Sequence, residues 1–428
     1  MAVRNPHPHP LPEGEGIAAI CRIAPEGELG GYAVDGLKPQ VVAFPDSPEQ
    51  VATIVKLAAE NRWAIIPRGG GTQMRLGGIP RAVDVVLCTT AMNRVLEYEP
   101  ADLVVSVQAG VRLGELQRTL GQHGQLLALD PPLPEQATIG GIIAANASGP
   151  LRLRYGTCRD LLIGIKVVSA DGSITKGGGK VVKNVTGYDM CKLYTNSLGT
   201  LGVIVEASFK LAPLPRIETT VLAWFGNLGQ AYEAARAIHK SVLPVRACEL
   251  LSSEVAASLG VAGSGLGRRD HLLAVWIGGG EAAVERQNRD VAALCSTADR
   301  TQVLRDQEVR RLWRGIEDFG REPPEIIARL SVLPSRAGEL LARLPEGATF
   351  VSHLLSGVTH AFGAAPEALA PLVRDMEGYL VLEACPPDVK RRLDVWGPVG
   401  PDFRLMERIK REFDPNGILN PGRYIGGL

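Results

Sequence analysis

Three consecutive glycines follow an apolar stretch near the start of the chain, and they constrain its fold more than any other feature. The loop Pro67-Arg68-Gly69-Gly70-Gly71-Thr72 comes directly after a predicted strand at residues 63–66. Because glycine has no Cβ, successive backbone N–H groups of such a loop can converge on an anion without steric hindrance. A tight turn is the alternative explanation for the loop taken by itself. The order strand, helix, strand, glycine loop predicts an α/β unit that presents its backbone to a ligand.

A second segment rich in small residues, 137–149, reads ATIGGIIAANASG. Its glycines allow close backbone approach, and its polar side chains offer hydrogen bonds to a large, flat ligand with polar edges. Packing between helices is the alternative explanation for this composition. The residues concerned are Thr138, Gly140, Gly141, Asn146, Ser148 and Gly149.

A third segment again places glycines at the start of a predicted strand. It reads KNVTGYD at 183–189 and SLGTLGVI at 197–204. Taken together, the three segments resemble the FAD-binding domain of the vanillyl-alcohol oxidase and p-cresol methylhydroxylase superfamily, over residues 39–215. The resemblance implies a two-part cradle that holds one FAD molecule.

The resemblance also implies a role for each matching position. The glycine loop would hold the pyrophosphate of FAD, the second segment would line the flavin and its ribityl chain, and the third would complete the cradle. The positions are Pro67, Arg68, Gly69, Gly70, Gly71 and Thr72 in the loop, Thr138, Gly140, Gly141, Asn146, Ser148 and Gly149 in the second segment, and Gly199, Gly202 and Ile204 in the third.

Two positions bear on how the flavin is attached. Some members of the superfamily bind it covalently, through a histidine that ends the glycine loop or a cysteine just before the second segment. This chain has Thr72 and Gln136 at those places. Because neither side chain is a nucleophile suited to that bond, we expect non-covalent FAD.

The remainder of the chain alternates strands with amphipathic helices, which is typical of an α+β domain. Residues 406–423 resemble the ending of FAD-linked 2-hydroxy-acid dehydrogenases, whose tail returns towards the flavin. The fold predicted is α+β, and its parts are a partly mobile N-terminal extension (1–38), a p-cresol methylhydroxylase-type two-subdomain FAD-binding domain (39–215), an α+β domain with a ferredoxin-like antiparallel sheet plus helices (216–400), and a C-terminal helix and tail (401–428).

One departure from that dehydrogenase group concerns catalysis. Its catalytic members carry a Glu-His-Gly element before the final helix and histidines that hold a divalent metal, whereas residues 394–400 here read DVWGPVG. Proline and glycine side chains can neither accept a proton nor bind a metal. With this departure, most of the chain resembles the FAD-binding subunits of glycolate oxidase. The resemblance implies a small 2-hydroxy acid as substrate, and a larger FAD-linked subunit and an iron–sulfur subunit as partners.

Individual histidines, cysteines and arginines point to no metal site and to no assigned catalytic residue. His353 and His360 fall on a predicted strand and the loop after it, where an odd separation places two residues on opposite faces. The seven cysteines are scattered singly, without the ligand spacing of a zinc or iron–sulfur cluster. Arg314 and Arg329 are candidate clamps for a substrate carboxylate, with an ordinary surface position as the alternative for both.

Composition narrows the function further. The 46 basic and 46 acidic residues balance, so bulk charge favours neither nucleic acid nor a membrane surface as a partner. No apolar stretch reaches the roughly 18 residues of a spanning helix, and we expect a cytoplasmic protein that meets a membrane only through partners. Three hypotheses remain open: an FAD subunit of a glycolate or other 2-hydroxy-acid dehydrogenase complex, a self-sufficient D-lactate-type dehydrogenase, and a non-enzymatic assembly subunit with a decayed flavin site.

Overall fold

The computed structural model describes residues 15–179, 187–261, 270–320 and 326–428. Over these ranges the chain forms two packed units, the first built on small sheets and the second on one large sheet. The first unit contains strands β1 (Arg22–Ile23), β2 (Val41–Phe44), β3 (Ile65–Arg68), β4 (Val85–Cys88), β5 (Val95–Glu99), β6 (Val104–Gln108), β7 (Gln125–Leu126), β8 (Leu162–Val168), β9 (Ile174–Gly178), β10 (Val203–Lys210) and β11 (Ala212–Pro213). Its α-helices are α1 (Glu15–Ala18), α2 (Pro48–Asn61), α3 (Leu113–Gly121), α4 (Ile139–Ala145), α5 (Arg152–Tyr155), α6 (Cys158–Leu161) and α7 (Met190–Tyr194).

The first sheet has the strand order β1-β2-β4-β3, and β2, β3 and β4 run parallel. Helix α2 connects β2 to β3, and Ser47 caps it by accepting a hydrogen bond from the N–H of Gln50 (3.4 Å). The apolar face of α2 is fully buried: Val51, Ile54, Val55 and Ala58. The glycine loop therefore leaves β3 at the carboxyl edge of parallel strands, which is where ligands bind in open α/β sheets.

The second sheet is antiparallel, in the order β5-β6-β10-β8-β9, and helices α3 and α4 pack on it. Helix α4 contains most of the second glycine-rich segment and ends at Asn146, whose φ of 47° is left-handed. A Cβ on Gly140 would lie 2.9 Å from the Cβ of Ala109, just beyond β6. The glycine therefore lets α4 approach its own sheet closely.

The second unit is an antiparallel sheet with the order β15-β12-β14-β13-β17-β18-β16-β19. In the described ranges no helix is long and apolar enough to cross a membrane. The antiparallel sheet with its helices confirms the predicted α+β class. Its strands are β12 (Ile217–Phe225), β13 (Ala247–Ser252), β14 (His271–Gly279), β15 (Arg300–Arg305), β16 (Ile327–Ser331), β17 (Thr349–His353), β18 (Val358–Phe362) and β19 (Tyr379–Ala384), and its α-helices are α8 (Leu228–Lys240), α9 (Ser253–Ser258), α10 (Glu281–Leu294), α11 (Asp306–Asp318), α12 (Ala337–Arg343), α13 (Pro366–Asp375) and α14 (Pro387–Arg392). Helix α15 (Phe403–Phe413) follows in the chain and packs on the first unit through Ile409 and Phe413.

The two faces of this large sheet have different neighbours. One face packs under helices α8, α10, α12 and α13. The other packs against α9 and α11 and also against Leu151 and Tyr155 of the first unit. Side chains that point from this second face therefore meet the first unit, so the interface between the units lies there.

The C-terminal tail returns to the first sheet beside the glycine loop. Leu419 pairs in parallel with Ile65 of β3. The N–H of Ile65 donates to the carbonyl of Ile418 (2.8 Å), and the N–H of Asn420 donates back to the carbonyl of Ile65 (2.8 Å). The tail thereby extends the first sheet next to the strand from which the loop begins.

A buried ion pair anchors this tail. The ammonium of Lys410 donates to the carboxylate of Asp414 (2.6 Å) and to the carbonyls of Thr200 (2.8 Å) and Leu419 (3.0 Å). Asp414 also accepts hydrogen bonds from two backbone N–H groups of the turn that follows α15. Because every polar atom of the pair has a partner, its burial is compatible with stability.

We expect Lys410→Met to lower the free energy of unfolding by about 3–5 kcal/mol, because it leaves the Asp414 carboxylate buried without its cation. Urea unfolding followed by circular dichroism measures the loss. The matched control is Arg411→Met on the same helix, which removes an exposed ion pair with Glu407 (3.8 Å) and should change stability by less than about 0.5 kcal/mol. Equal effects of the two substitutions would contradict the role given to the buried pair.

Candidate functional site

A groove lies where the glycine loop, helix α4, the turn before β10 and the C-terminal tail meet. It encloses about 560 Å³ of empty space, its open mouth included. The sequence had joined three of these segments by resemblance, and the structure brings them together. The lining residues are Pro67, Gly69, Gly70, Gly71, Thr72, Gln73, Met74, Leu76, Thr138, Gly141, Ala144, Ala145, Leu198, Gly199, Asn420 and Arg423.

Glycine is required where these segments touch. A Cβ on Gly69 would lie 2.0 Å from Oγ1 of Thr138, and one on Gly70 would lie 1.7 Å from the carbonyl oxygen of Gln136. Both distances are far inside van der Waals contact, so no side chain fits there. The loop backbone is therefore pressed against the start of α4, and its remaining side faces the groove.

Hydrogen bonds from the turn before β10 and from the tail close the groove. The N–H of Leu198 donates to the carbonyl of Ala144 (2.9 Å), and the side-chain amide of Asn420 donates to the carbonyl of Leu198 (2.5 Å). Gly199 has a φ of 70°, and a Cβ there would lie 3.0 Å from the ring of Pro67. The glycine loop, helix α4 and the C-terminal tail thus all contact this one turn.

Several polar atoms around the groove are buried and have no partner within the described residues. Among them, Oγ1 of Thr138, Oδ1 of Asn420 and Nε of Arg423 belong to residues that line it. A buried polar group without a hydrogen bond costs about 1–3 kcal/mol. These atoms, and a loop whose backbone faces the groove, suit a ligand that carries both a pyrophosphate and polar ring edges. FAD is such a ligand, and the residues present fit it.

The other predicted cofactor residues lie outside the lining of the groove. The guanidinium of Arg68 sits over the Tyr32 ring (4.9 Å), and Gly202 is packed against Val167. Ile204 belongs to the buried core of the second sheet. Flavin contact by this group stays a prediction, and residues 183–186 of the third segment lie outside the described part. The whole group is Arg68, Gly140, Asn146, Ser148, Gly149, Gly202 and Ile204.

A row of ionisable side chains crosses the sheet of the second unit. Five strands that are neighbours in that sheet, β13, β17, β18, β16 and β19, each contribute one. We call this set the polar row: Glu249, His353, His360, Arg329 and Glu383. Glu249 alternates with Leu250, which packs under the helices, and so it points from the face that meets the first unit.

Short contacts connect the members of the polar row. Nδ1 of His353 lies 2.7 Å from Oε2 of Glu249, which is fully buried. Oε1 of Glu383 lies 3.3 Å from Nε of Arg329 and 3.6 Å from Nε2 of His360. Burial raises the pKa of Glu249, and the nearby His353 opposes that rise. The row therefore holds acids, bases and a cation close together in a poorly solvated place.

The predicted placement of the two histidines on opposite faces is wrong. The turn at Leu354–Ser356 reverses the chain, so His353 ends β17 while His360 lies on the neighbouring strand β18. Their rings contact edge to face, with centroids 5.3 Å apart. The rule for alternate residues applies within one strand, and here it was applied across a turn. Within the described residues, no cluster of three or more His, Cys, Asp or Glu is arranged to hold a metal ion.

Asp130 connects the polar row to the end of the second glycine-rich segment. Its buried carboxylate accepts hydrogen bonds from the N–H groups of Gly149 (2.9 Å) and Leu151 (2.6 Å). Burial raises the pKa of Asp130 to about 7, and the charges of His353 and Glu249 also act on it. The row thus lies within electrostatic range of the backbone that follows α4.

The two arginines singled out in the sequence have different places. Arg329 belongs to the polar row, and it is close enough to Arg152 of the first unit to lower the pKa of that guanidinium, although burial is the larger cause. Arg314 lies on α11, half exposed and 3.5 Å from Glu317. Sequence reasoning missed Glu249, Glu383 and Asp130. For the two glutamates the available signal was a single charged residue inside an otherwise apolar strand, as in ACELLS and YLVLEA.

Comparison with known proteins identifies the two units. A family model described as "FAD binding domain" matches residues 39–178, and one described as "FAD linked oxidases, C-terminal domain" matches residues 214–363 and 397–424. Glycolate oxidase subunit GlcD of Bacillus subtilis (strain 168) is 28% identical over 429 residues, which cover 90% of this chain and 89% of that protein. A D-lactate dehydrogenase of Archaeoglobus fulgidus is 31% identical over 413 residues, which cover 91% and 92%.

The solved structures agree on the fold. Substrate-bound p-cresol methylhydroxylase superposes with a TM-score of 0.73 at 18% identity, over 96% of this chain and 95% of that one. This confirms the predicted p-cresol methylhydroxylase-type fold. The regions matched by the two family models include the glycine loop and every member of the polar row except Glu383. The chain therefore belongs to the FAD-linked oxidase family. It is an oxidoreductase, and its cofactor is FAD.

Proposed function

We propose that this chain is the FAD-binding subunit of a glycolate oxidase or dehydrogenase complex, and that it oxidises a small 2-hydroxy acid such as glycolate to its 2-oxo acid. The observation that carries the proposal is the polar row, which lies within electrostatic range of Asp130, whose carboxylate binds the backbone that follows α4. Relatives named for glycolate, D-lactate and D-2-hydroxyglutarate support this class of substrate.

The chain's own residues would divide the work as follows. Groove residues of the glycine loop and α4 would bind FAD, which when bound accepts the two electrons of the oxidised C–H bond. Arg329, with Arg152 nearby, would bind the substrate carboxylate, for which a guanidinium is the natural partner. His353 would take the hydroxyl proton, because Glu249 at its Nδ1 holds the ring and leaves the other nitrogen available.

FAD would be held without a covalent bond. Thr72 lines the groove, and the carbonyl of Gln136 lies against Gly70. The side chains of Thr72 and Gln136 are not the histidine or cysteine that forms a flavin linkage in some relatives of this fold. Acid precipitation should therefore release all of the flavin.

The subunit role is proposed from three features. One relative is itself named as a subunit of glycolate oxidase. The cysteines are scattered, so an iron–sulfur cluster would have to come from another chain. Val395 and Trp396, where the dehydrogenase group would carry its Glu-His-Gly element, pack in the core and against the tail instead. A larger FAD-linked subunit and an iron–sulfur subunit would complete the complex, in the cytoplasm or at a membrane reached through them.

Turnover by the purified chain decides between this proposal and its nearest rival. We expect yellow protein that reduces a dye with glycolate only after the partner subunits are added. A self-sufficient D-lactate-type dehydrogenase is the second candidate, favoured by the 92% coverage of the Archaeoglobus enzyme. Rapid dye reduction by the isolated chain with D-lactate would establish that candidate. Colourless protein that ignores added FAD would instead indicate an assembly subunit.

Gly70→Ala should abolish FAD binding, because the new Cβ would overlap the carbonyl oxygen of Gln136 (1.7 Å) and move the loop. Flavin absorbance per mole of purified chain measures the loss, which we expect to exceed about 90% given the strain of such overlap. The matched control is Gly121→Ala, at a position with no atom within 4 Å of the new Cβ. Normal flavin content in the Gly70→Ala variant would show that the glycine loop does not bind FAD.

His353→Asn should slow reduction of the flavin by substrate about 100-fold or more, the usual effect of losing a general base. Flavin content should stay normal, because His353 lies outside the groove lining. Stopped-flow absorbance under anaerobic conditions, in whichever assembly the wild type is reduced, gives the rate. His239→Asn, at an exposed position on α8, is the control. An unchanged rate for His353→Asn would exclude this residue as the proton acceptor.

A further inference from the structure

Two buried cations bind four consecutive carbonyl oxygens, those of residues 74–77, just after the glycine loop. They alternate along the segment, so that each cation takes every second oxygen. Arg423 binds the oxygens of Met74 (2.7 Å) and Leu76, and Lys390 binds those of Arg75 (2.8 Å) and Gly77 (2.9 Å). Because a peptide group is planar, fixing four oxygens in a row fixes the orientation of the whole segment.

The two cations come from different parts of the chain. Lys390 lies on α14 of the second unit, and Arg423 lies on the C-terminal tail. The segment they hold continues the FAD loop, since Gln73, Met74 and Leu76 line the groove. The position of the loop thus depends on the second unit being docked against the first.

The charges of this cluster do not balance. The side chain of Lys390 is completely buried, and Arg423 is 3% exposed. Asp35 is the carboxylate that pairs with Lys390 (2.8 Å), and its charge also acts on Arg423. Burial lowers the pKa of both cations, that of Arg423 to about 10. Two cations facing one carboxylate leave about one positive charge in a desolvated place, which is costly unless an anion comes near.

The groove is the place from which that anion would come. Arg423 lines it, and the Nε of this guanidinium is buried without a partner in the described residues. We propose that Lys390 and Arg423 act as positioning residues for FAD: they orient the loop through its carbonyl oxygens and supply the positive potential that attracts the pyrophosphate. This rests on the FAD cradle and is independent of the substrate.

Coupling between the cofactor and the two units follows. Lys390 can act on the loop only when the second unit is docked, so FAD binding and docking stabilise each other by the same free energy. FAD should therefore protect the interface between the units as well as the loop. Loss of Lys390 should weaken that protection.

The test compares Lys390→Met with Asp35→Asn. Both substitutions break the same buried ion pair, so both should lower the urea midpoint of the FAD-free chain. Their effects on FAD affinity should be opposite, because one removes a positive charge near the pyrophosphate and the other a negative one. We expect the FAD dissociation constant to rise about tenfold or more for Lys390→Met and to stay equal or fall for Asp35→Asn. Quenching of flavin fluorescence on titration gives both values.

The substitution at Asp35 is well matched to its site. Its φ of 50° lies in the left-handed region, which asparagine tolerates as readily as aspartate. The amide oxygen of asparagine can still accept a hydrogen bond from Lys390. If Lys390→Met does not fold, Lys390→Arg and Asp35→Asn still decide, because the former keeps the charge and should bind FAD within about threefold of wild type.

Weaker FAD binding by Asp35→Asn, in proportion to its loss of stability, would overturn the proposal and leave Lys390 with a structural role alone. Wild-type chain that binds no FAD would count against the cradle itself. Wild-type chain that binds FAD but oxidises no 2-hydroxy acid would count only against the proposed substrate.

Discussion

The glycine loop touches the start of α4 backbone to backbone, and the rest of the site depends on that contact. The loop belongs to the first sheet and α4 to the second, so the contact joins the two sheets of the FAD-binding unit. Any side chain at Gly69 or Gly70 would separate them. The groove is the seam between the two sheets, and its width is set by how closely these two backbones approach.

Buried charged groups hold in place the parts of the site that lie away from this contact. Lys410 fixes the tail, Lys390 fixes the segment after the loop, and Asp130 fixes the backbone after α4. In each case the partners are main-chain groups as well as charges. Apolar packing alone tolerates small displacements, whereas hydrogen bonds to backbone atoms define one position. The desolvation cost of Lys410 and Lys390 is offset by their complete pairing, and that of Arg423 by the proposed anion.

The sequence was sufficient for the cradle because its signals are local. Each glycine-rich segment is continuous in the sequence, and three of them in one chain identified the FAD-binding unit. The motif in the tail indicated the fourth segment that lines the groove. Local patterns could not separate two uses of glycine. Gly70 makes room for the contact at the groove, whereas Gly140 and Gly202 make room for Ala109 and Val167 of the protein itself. Only the packed structure distinguishes the two.

The polar row was beyond sequence reasoning for a related reason. Its members are spread from Glu249 to Glu383, and strand order, which places them side by side, differs from their order along the chain. His353 and His360 show the difficulty, since a turn between them reverses the rule for alternating residues.

The ionisation of these groups bears on how an anionic substrate could enter so buried a place. Glu383 of the row already faces its cation, Glu249 faces His353, and Asp130 lies within electrostatic range of His353 and Glu249. Burial raises the pKa of Glu249, and it raises that of Asp130 to about 7, so each holds a proton more readily than in water. Near neutral pH the carboxyl group of Asp130 therefore carries less than a full negative charge, whereas the charges of His353 and Arg152 favour the ionised form of Glu249. The reduced charge of Asp130 lowers the electrostatic barrier to an anionic substrate that approaches Arg152 and Arg329, which is one use that active sites make of buried ionisable groups.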